Sequence, residues 1–346
     1  MAVPHEFAVA TAGHHLLSNI SSTLVPITEQ DYTSPNNISY NSNGHVWNII
    51  SWTAFCVIFV VGVTGNCFVL CMTCRPSSRL SISTINTYVM NLAAADLIYV
   101  LQYLFFTIGN HLPSGWPFGM IGCKVIISLD IVVMFVGAYI LVAMSIERFV
   151  AIVFPMQSLQ CRSLPCSRWV CGSLWVIGVV AVGIPYAFHY ENFFYEEEVR
   201  WSCIWSHSLK AFQKYMLGIC VTVLIVPSIM LLVVYSSLLI HFWRTVGQVG
   251  ASLNKNLRRS KRRVVTVVFL IVLAFWICYI PFWTWMMIAN YTDYENNVIG
   301  LSTVILSYTN SCVNPLLYTL LTNKFNRWRE SKKSSRSTSK IALRSI

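Results

Sequence analysis

The chain has 346 residues, 55% of them hydrophobic and only 11% charged, with a formal net charge of +11. A soluble domain carries charge on nearer a quarter of its residues, so this composition excludes an ordinary soluble enzyme. Spread over a soluble surface, the positive charge would suggest nucleic acid; here it is clustered between apolar runs and does not.

Residues 1–46 are polar, with no basic-then-apolar start and no small-residue cleavage site. The first apolar segment is therefore expected to act as the targeting signal. Two N-x-S sequons, at Asn19 and Asn37, lie in this tail and mark it as a candidate glycosylated outside segment. A third match at Asn290 sits too near a span end to be an expected acceptor.

Seven apolar segments follow, at 47–71, 87–108, 125–154, 169–188, 215–239, 264–289 and 298–320. Each can cross the roughly 30 Å hydrocarbon core as a helix of about 20 residues. No intervening loop is long enough to fold as a domain. The expected organisation is an outside tail (1–46), an all-α seven-helix transmembrane domain (47–322), and an inside segment (323–346).

Charge sets the orientation. Basic residues gather in alternate loops: Arg75 and Arg79, Arg162 and Arg168, the run from Lys255 to Arg263, and the tail from Lys324 to Arg344. The other segments hold Glu29 and Asp31, Glu191 and Glu196 to Glu198, and Asp293 and Glu295. Lys and Arg prefer cytoplasmic loops, which predicts the amino terminus outside and the carboxyl terminus inside. The basic runs would also lie against anionic membrane lipid.

Of twelve cysteines, most sit within or beside apolar spans, where they act as small hydrophobes. Cys123 and Cys203 fall instead in outside regions, with no other outside cysteine competing for either. A disulfide between them, on the oxidising side, would pin the loop after span four onto span three.

Span three also carries Asp130, seven residues past Cys123 and so roughly 10 Å below the outer rim. An intramembrane carboxylate needs a partner or a cavity, and no intramembrane Lys or Arg stands at similar depth. Asp130 reads as an anchor for a cationic ligand group. Glu147 and Arg148 end the same helix, about 27 Å below, where adjacent opposite charges can form a pair that breaks on activation. Asn66, Asp96, Asn310, Ser311 and Asn314 form a polar set across spans one, two and seven. Pro185, Pro227, Pro281 and Pro315 interrupt four spans, and the backbone groups they free must find partners nearby.

In order and spacing these residues resemble the rhodopsin-like G-protein-coupled receptors across essentially the whole chain. The carrying motifs are Gly65-Asn66, Asn91 to Asp96, Cys123, Glu147-Arg148-Phe149, Trp175, Pro227 with Tyr235, Phe275 with Cys278 to Pro281, and Asn314-Pro315 with Tyr318. Within that family the chain resembles the branch holding somatostatin, opioid and urotensin II receptors. Phe118-Gly119, Leu129-Asp130, Phe275 to Trp283 and Ser307 to Thr322 carry that likeness, to the urotensin II members above all.

The resemblance implies a cyclic cationic neuropeptide bound by Asp130, Met134, Tyr279, Phe282, Trp283 and Tyr308. It implies no cofactor, and a heterotrimeric G protein of Gq type as transducer, with a somatostatin- or opioid-like receptor signalling through Gi as the alternative. It casts Asp96, Glu147, Arg148, Tyr235, Phe275, Pro281, Asn310, Asn314, Pro315 and Tyr318 as activation residues. It also suggests an amphipathic eighth helix from Phe325 and a tail whose Ser331, Ser334, Ser335, Ser337, Thr338 and Ser339 engage arrestin once phosphorylated.

Five departures qualify it. Glu147 replaces the usual Asp, Phe149 the usual Tyr and Tyr279 the usual Trp, while Gly137 stands where a Ser helps hold sodium beside Asp96. Asp96 is therefore expected to bind sodium weakly. No cysteine follows Cys312 to serve as a palmitoylated anchor.

Rival classes fit less well. A transporter would show a repeat between halves; a light sensor needs a lysine in span seven, and none is there. An amine receptor would place serines in the outer half of span five, where residues 215–220 have none. No hydrolytic or transfer chemistry is visible, so a receptor is expected, not an enzyme.

Overall fold

A hydrocarbon solvent offers the backbone no hydrogen bonds, so spanning segments of this composition must close their own as helices. The structure, a computed structural model, describes residues 42–74, 84–154, 163–195, 200–248, 255–292 and 296–321. A helix stands at each of the seven expected spans. They are α1 (Ser42–Cys74), α2 (Thr84–His111), α3 (Gly119–Val153), α4 (Leu164–Ile177 continuing to Phe188), α5 (Leu209–Cys220 continuing to Gln248), α6 (Lys255–Tyr291) and α7 (Asn297–Leu321). Among the described residues, six helices are long and apolar enough to cross a membrane by length and composition; the seventh, α7, packs against α6, α1 and α2.

Helix α3 is the centre of the bundle. In its most apolar stretch 61% of residues are buried, against 28% in α1, α4 and α5. The outer helices instead turn Val57, Val60, Val180, Leu232 and Val233 outward, the surface lipid would cover. Two glycines let helices approach closely. A Cβ at Gly65 would stand 3.0 Å from Pro315 Cβ across the α1–α7 contact, and one at Gly183 only 2.6 Å from Val132 Cγ2 across α3–α4.

Each proline leaves the carbonyl four residues earlier without its helical donor. In α4 and α5 the chain absorbs this as one stretch of π-helix, Gly178–Gly183 before Pro185 and Val221–Ile225 before Pro227. In α7 a side chain answers. Pro315 frees the carbonyl of Ser311, and Asn66 Nδ2 donates to it at 2.9 Å while also donating to Gly62 O at 3.0 Å.

Two expectations are corrected. Span three begins at Gly119, not 125, so Cys123 lies in the first turns of α3. The segment after span four is not a plain loop but an antiparallel hairpin, β1 (Tyr190–Tyr195) and β2 (Arg200–Trp205), with Asn192 opposite Cys203. Cys123 and Cys203 are bonded, with Cα atoms 5.5 Å apart. The loop before α3 is stitched to the same strand: Trp116 N donates to Trp201 O (2.9 Å) and Trp201 N to Ser114 O (3.0 Å). Strand β2 is thus tied down at two points, Trp201 and Cys203.

Candidate functional site

The half of the bundle that carries the disulfide holds a carboxylate and many aromatic rings. Asp130 is partly buried on α3, and among the described residues its Oδ1 has no hydrogen-bond partner. Its charge reaches the phenols of Tyr99, Tyr186, Tyr190, Tyr279 and Tyr308.

One wall comes from α1, α2 and α7. Tyr99 stacks on Tyr308 (centroids 4.4 Å, 16°), Phe55 stacks on Tyr103 (4.0 Å, 14°), and the edge of Tyr308 meets Phe55 at 6.1 Å. The opposite wall comes from α4, the hairpin and α5. Tyr186 and Tyr190 share a hydrogen bond at 2.9 Å, and Tyr186 stacks on Tyr215 at 5.5 Å. His189 and Trp205 stack above them at 4.6 Å. Burial, and then the neighbouring His207, hold His189 below the ordinary imidazole range.

The other expected ligand residues separate by depth and role. Trp283 is buried with Nε1 lacking a partner among the described residues, and half-buried Phe282 meets it edge-on at 5.6 Å. Met134 and Tyr279 lie deeper, lining a cavity of about 20 Å³ with Asp96, Gly137, Phe275 and Asn310. That is room for about one water. Tyr279 and Phe275 lie 5.0 Å apart at its outer edge. Trp285 packs on Gly300 at the α6–α7 contact.

The second carboxylate is engaged at both oxygens. Asp96 Oδ1 accepts from Ser311 Oγ and Oδ2 from Asn314 Nδ2, both at 2.9 Å. As a sodium site its oxygen set comprises the Asp96 carboxylate, Ser311 Oγ, and the Asn310 and Asn314 Oδ1 atoms, which have no partner among the described residues. Gly137 contributes no side-chain oxygen, and a Cβ there would meet only Leu92 Cδ1 at 3.7 Å.

At the carboxyl-terminal end of α3, Glu147 is buried and accepts a hydrogen bond from Thr84 Oγ1 on α2. Arg148 beside it is half-buried. Tyr235 on α5 is placed within 3.5 Å of Ser145 Oγ and against Phe269 of α6. Trp175 Nε1 donates to Asn91 Oδ1 at 3.1 Å, joining α4 to α2. Pro281 and Pro315 lie inside α6 and α7. Tyr318 falls on α7, but its side chain is not among those described; Asn19, Asn37, Glu196 to Glu198 and the segment from Phe325 onward also lie outside the described residues.

Two residues had escaped the sequence reading. Thr84 carries no motif. Gln102 is a polar residue in an apolar span, buried to 3% exposure, with Nε2 donating to Ile126 O at 2.7 Å and Oε1 without a partner among the described residues. Asn290, of the third sequon, is buried and donates to Met286 O at 2.7 Å.

Comparison with known proteins bears directly on this arrangement. The family described as "7 transmembrane receptor (rhodopsin family)" matches residues 65–318. A urotensin-2 receptor of Bos taurus is 30% identical over 287 residues, covering 81% of this chain and 72% of that receptor. An allatostatin-A receptor of Bombyx mori is 29% identical over 78% of this chain and 76% of its own length. A human galanin receptor type 2 is 27% identical over 84% and 75%. The match spans the Asn66–Asp96–Asn314 network, the disulfide and the Glu147-Arg148 pair, and the chain therefore belongs to the rhodopsin family of seven-transmembrane receptors.

Proposed function

We propose that this receptor is switched on from outside by a cationic peptide whose positive group pairs with Asp130, and that it signals through a Gq-type G protein and calcium. The observation that carries the reading is the idle oxygen of Asp130 inside an aromatic chamber. A carboxylate at that depth is costly unless something compensates it, and the described surroundings supply rings instead of a cation. The names of the relatives, receptors for urotensin-2, allatostatin-A and galanin, favour a peptide. Basic residues at the Glu147 end and the disulfide at the Asp130 end favour an outside amino terminus.

Asp96 serves as a structural hub and holds sodium weakly, since both of its oxygens already accept hydrogen bonds. Phosphorylation of the Ser331 to Ser339 segment would reverse its charge and present it to arrestin. The deciding experiment applies cyclic and linear cationic peptides to cells expressing the chain, reading calcium and cAMP together. A calcium rise without a cAMP fall is the expected result. A cAMP fall alone moves the transducer to the Gi type, and a response only to uncharged ligands overturns the anchor.

A further inference from the structure

Helical side chains lean toward the amino terminus of their helix. The carboxylate of Asp130 therefore rises from its own Cα toward the level of Ile126, one turn above. In a regular helix the carbonyl of Ile126 receives the amide of residue 130, and Gln102 Nε2 donates to that same carbonyl at 2.7 Å. Only the nitrogen end of a glutamine amide can donate to a carbonyl, so Oε1 is the end left over. Gln102 is 3% exposed and Oε1 has no partner among the described residues; the same holds for Asp130 Oδ1. Two acceptors, one charged and one neutral, thus belong to side chains set at the same Ile126–Asp130 turn of α3, each lacking a hydrogen among the described residues.

We infer that Gln102 and Asp130 together form a subsite that reads N–H hydrogens, and that its ligand group is a primary ammonium, not a quaternary one. The inference rests on the proposed pairing of a ligand cation with Asp130 and deepens it. A primary ammonium carries three donors, enough to serve both idle oxygens at once. A quaternary ammonium carries none and would leave both unsatisfied, although the phenols of Tyr99, Tyr279 and Tyr308 around the site offer it the attraction of aromatic faces. Those two chemistries make opposite demands, and the buried, unpartnered Oε1 favours the first.

The probes are n-butylammonium and n-butyltrimethylammonium chlorides, which share a tail and a charge and differ in N–H hydrogens. Thermal unfolding of the purified full-length receptor is followed as each is titrated at constant ionic strength; a ligand bound only by the folded state raises the midpoint. The expected result is a rise with n-butylammonium and little with n-butyltrimethylammonium. Gln102→Leu should weaken n-butylammonium about tenfold to a hundredfold, the range for a hydrogen bond to a charged group, and Asp130→Asn should abolish its effect. Because the readout is the ratio of two ions on one variant, a general loss of stability in Gln102→Leu cancels. Equal shifts from both ions, no shift from either, or an unchanged ratio in Gln102→Leu overturns the subsite. A lysine-bearing peptide that still needs Asp130 in cells would then leave the anchor standing without Gln102, so the two failures are distinguishable.

Discussion

Asp96 and Asp130 are the same functional group in the same bundle, yet their surroundings differ in one respect. Asp96 finds a donor for each oxygen in α7, from Ser311 and Asn314. Asp130 has an oxygen with none among the described residues. A buried polar group costs free energy unless it is hydrogen-bonded. On the proposed reading, the acid satisfied by its own chain belongs to the fold, whereas the acid left unsatisfied opposes the fold and is kept for a ligand. Depth and charge do not separate the two roles; the supply of donors does.

The comparison predicts reciprocal mutants. Asp130→Ala should cost about 3–5 kcal/mol of peptide binding, a loss of orders of magnitude in potency in calcium assays at matched surface expression. The unfolding midpoint should stay or rise, because an unsatisfied group is removed. Asp96→Ala should do the reverse to stability. It strands the Ser311 and Asn314 donors and should cost about 3 kcal/mol, from two bonds to a charged acceptor, seen as a lower midpoint without ligand. A lowered midpoint in Asp130→Ala, or an unchanged one in Asp96→Ala, would break the distinction.

Much of this contrast was legible in the sequence. The seven spans, the two acids and the cysteine pair stand out because charge and outside cysteines are scarce in this chain, and each scarce residue needs a reason. What escaped depended on contacts between distant segments. Thr84 is an ordinary residue at the start of α2 until Glu147, 63 positions later, accepts its hydrogen bond. Gln102 becomes informative only when one end of its amide is seen to be occupied and the other idle. The hairpin was missed because its strands, Tyr190–Tyr195 and Arg200–Trp205, are held by cross-strand pairing, the disulfide and the loop at Trp116. The partner of Asn66 was equally hidden, since a carbonyl freed by Pro315 leaves no mark on the sequence.

Smaller effects sharpen the picture at the two ends. Thr84→Val removes one hydrogen bond to buried Glu147, worth about 1.5–3 kcal/mol, and should raise ligand-free signalling, as should Glu147→Gln. Basal activity at or below the parent in both, at equal expression, would mean that Glu147 is no restraint. Gly183→Ala would press a methyl into Val132, at 2.6 Å. Overpacking of this kind costs about 1–3 kcal/mol and should lower the unfolding midpoint, leaving the potency ratio between peptides alone.

The smallest expected effect is at the roof. The folded value of His189 lies below its unfolded value, through burial and then His207, so the unfolded chain binds more protons as pH falls through about 6.5. Stability present above that pH is lost below it, and His189→Phe should flatten this slope slightly. An unchanged slope would show that the stacked histidine is not the group titrating.

The central claim is that Asp130 is reserved for a ligand cation, and a double-mutant cycle tests it most directly. An activating peptide and its analogue with norleucine for the key lysine are each assayed on the parent receptor and on Asp130→Asn. If the pair is real, either change alone lowers potency by orders of magnitude, and the second change adds almost nothing to the first. Losses that simply multiply would show that the lysine and Asp130 act independently, and the account of Asp130 as the anchor would be wrong.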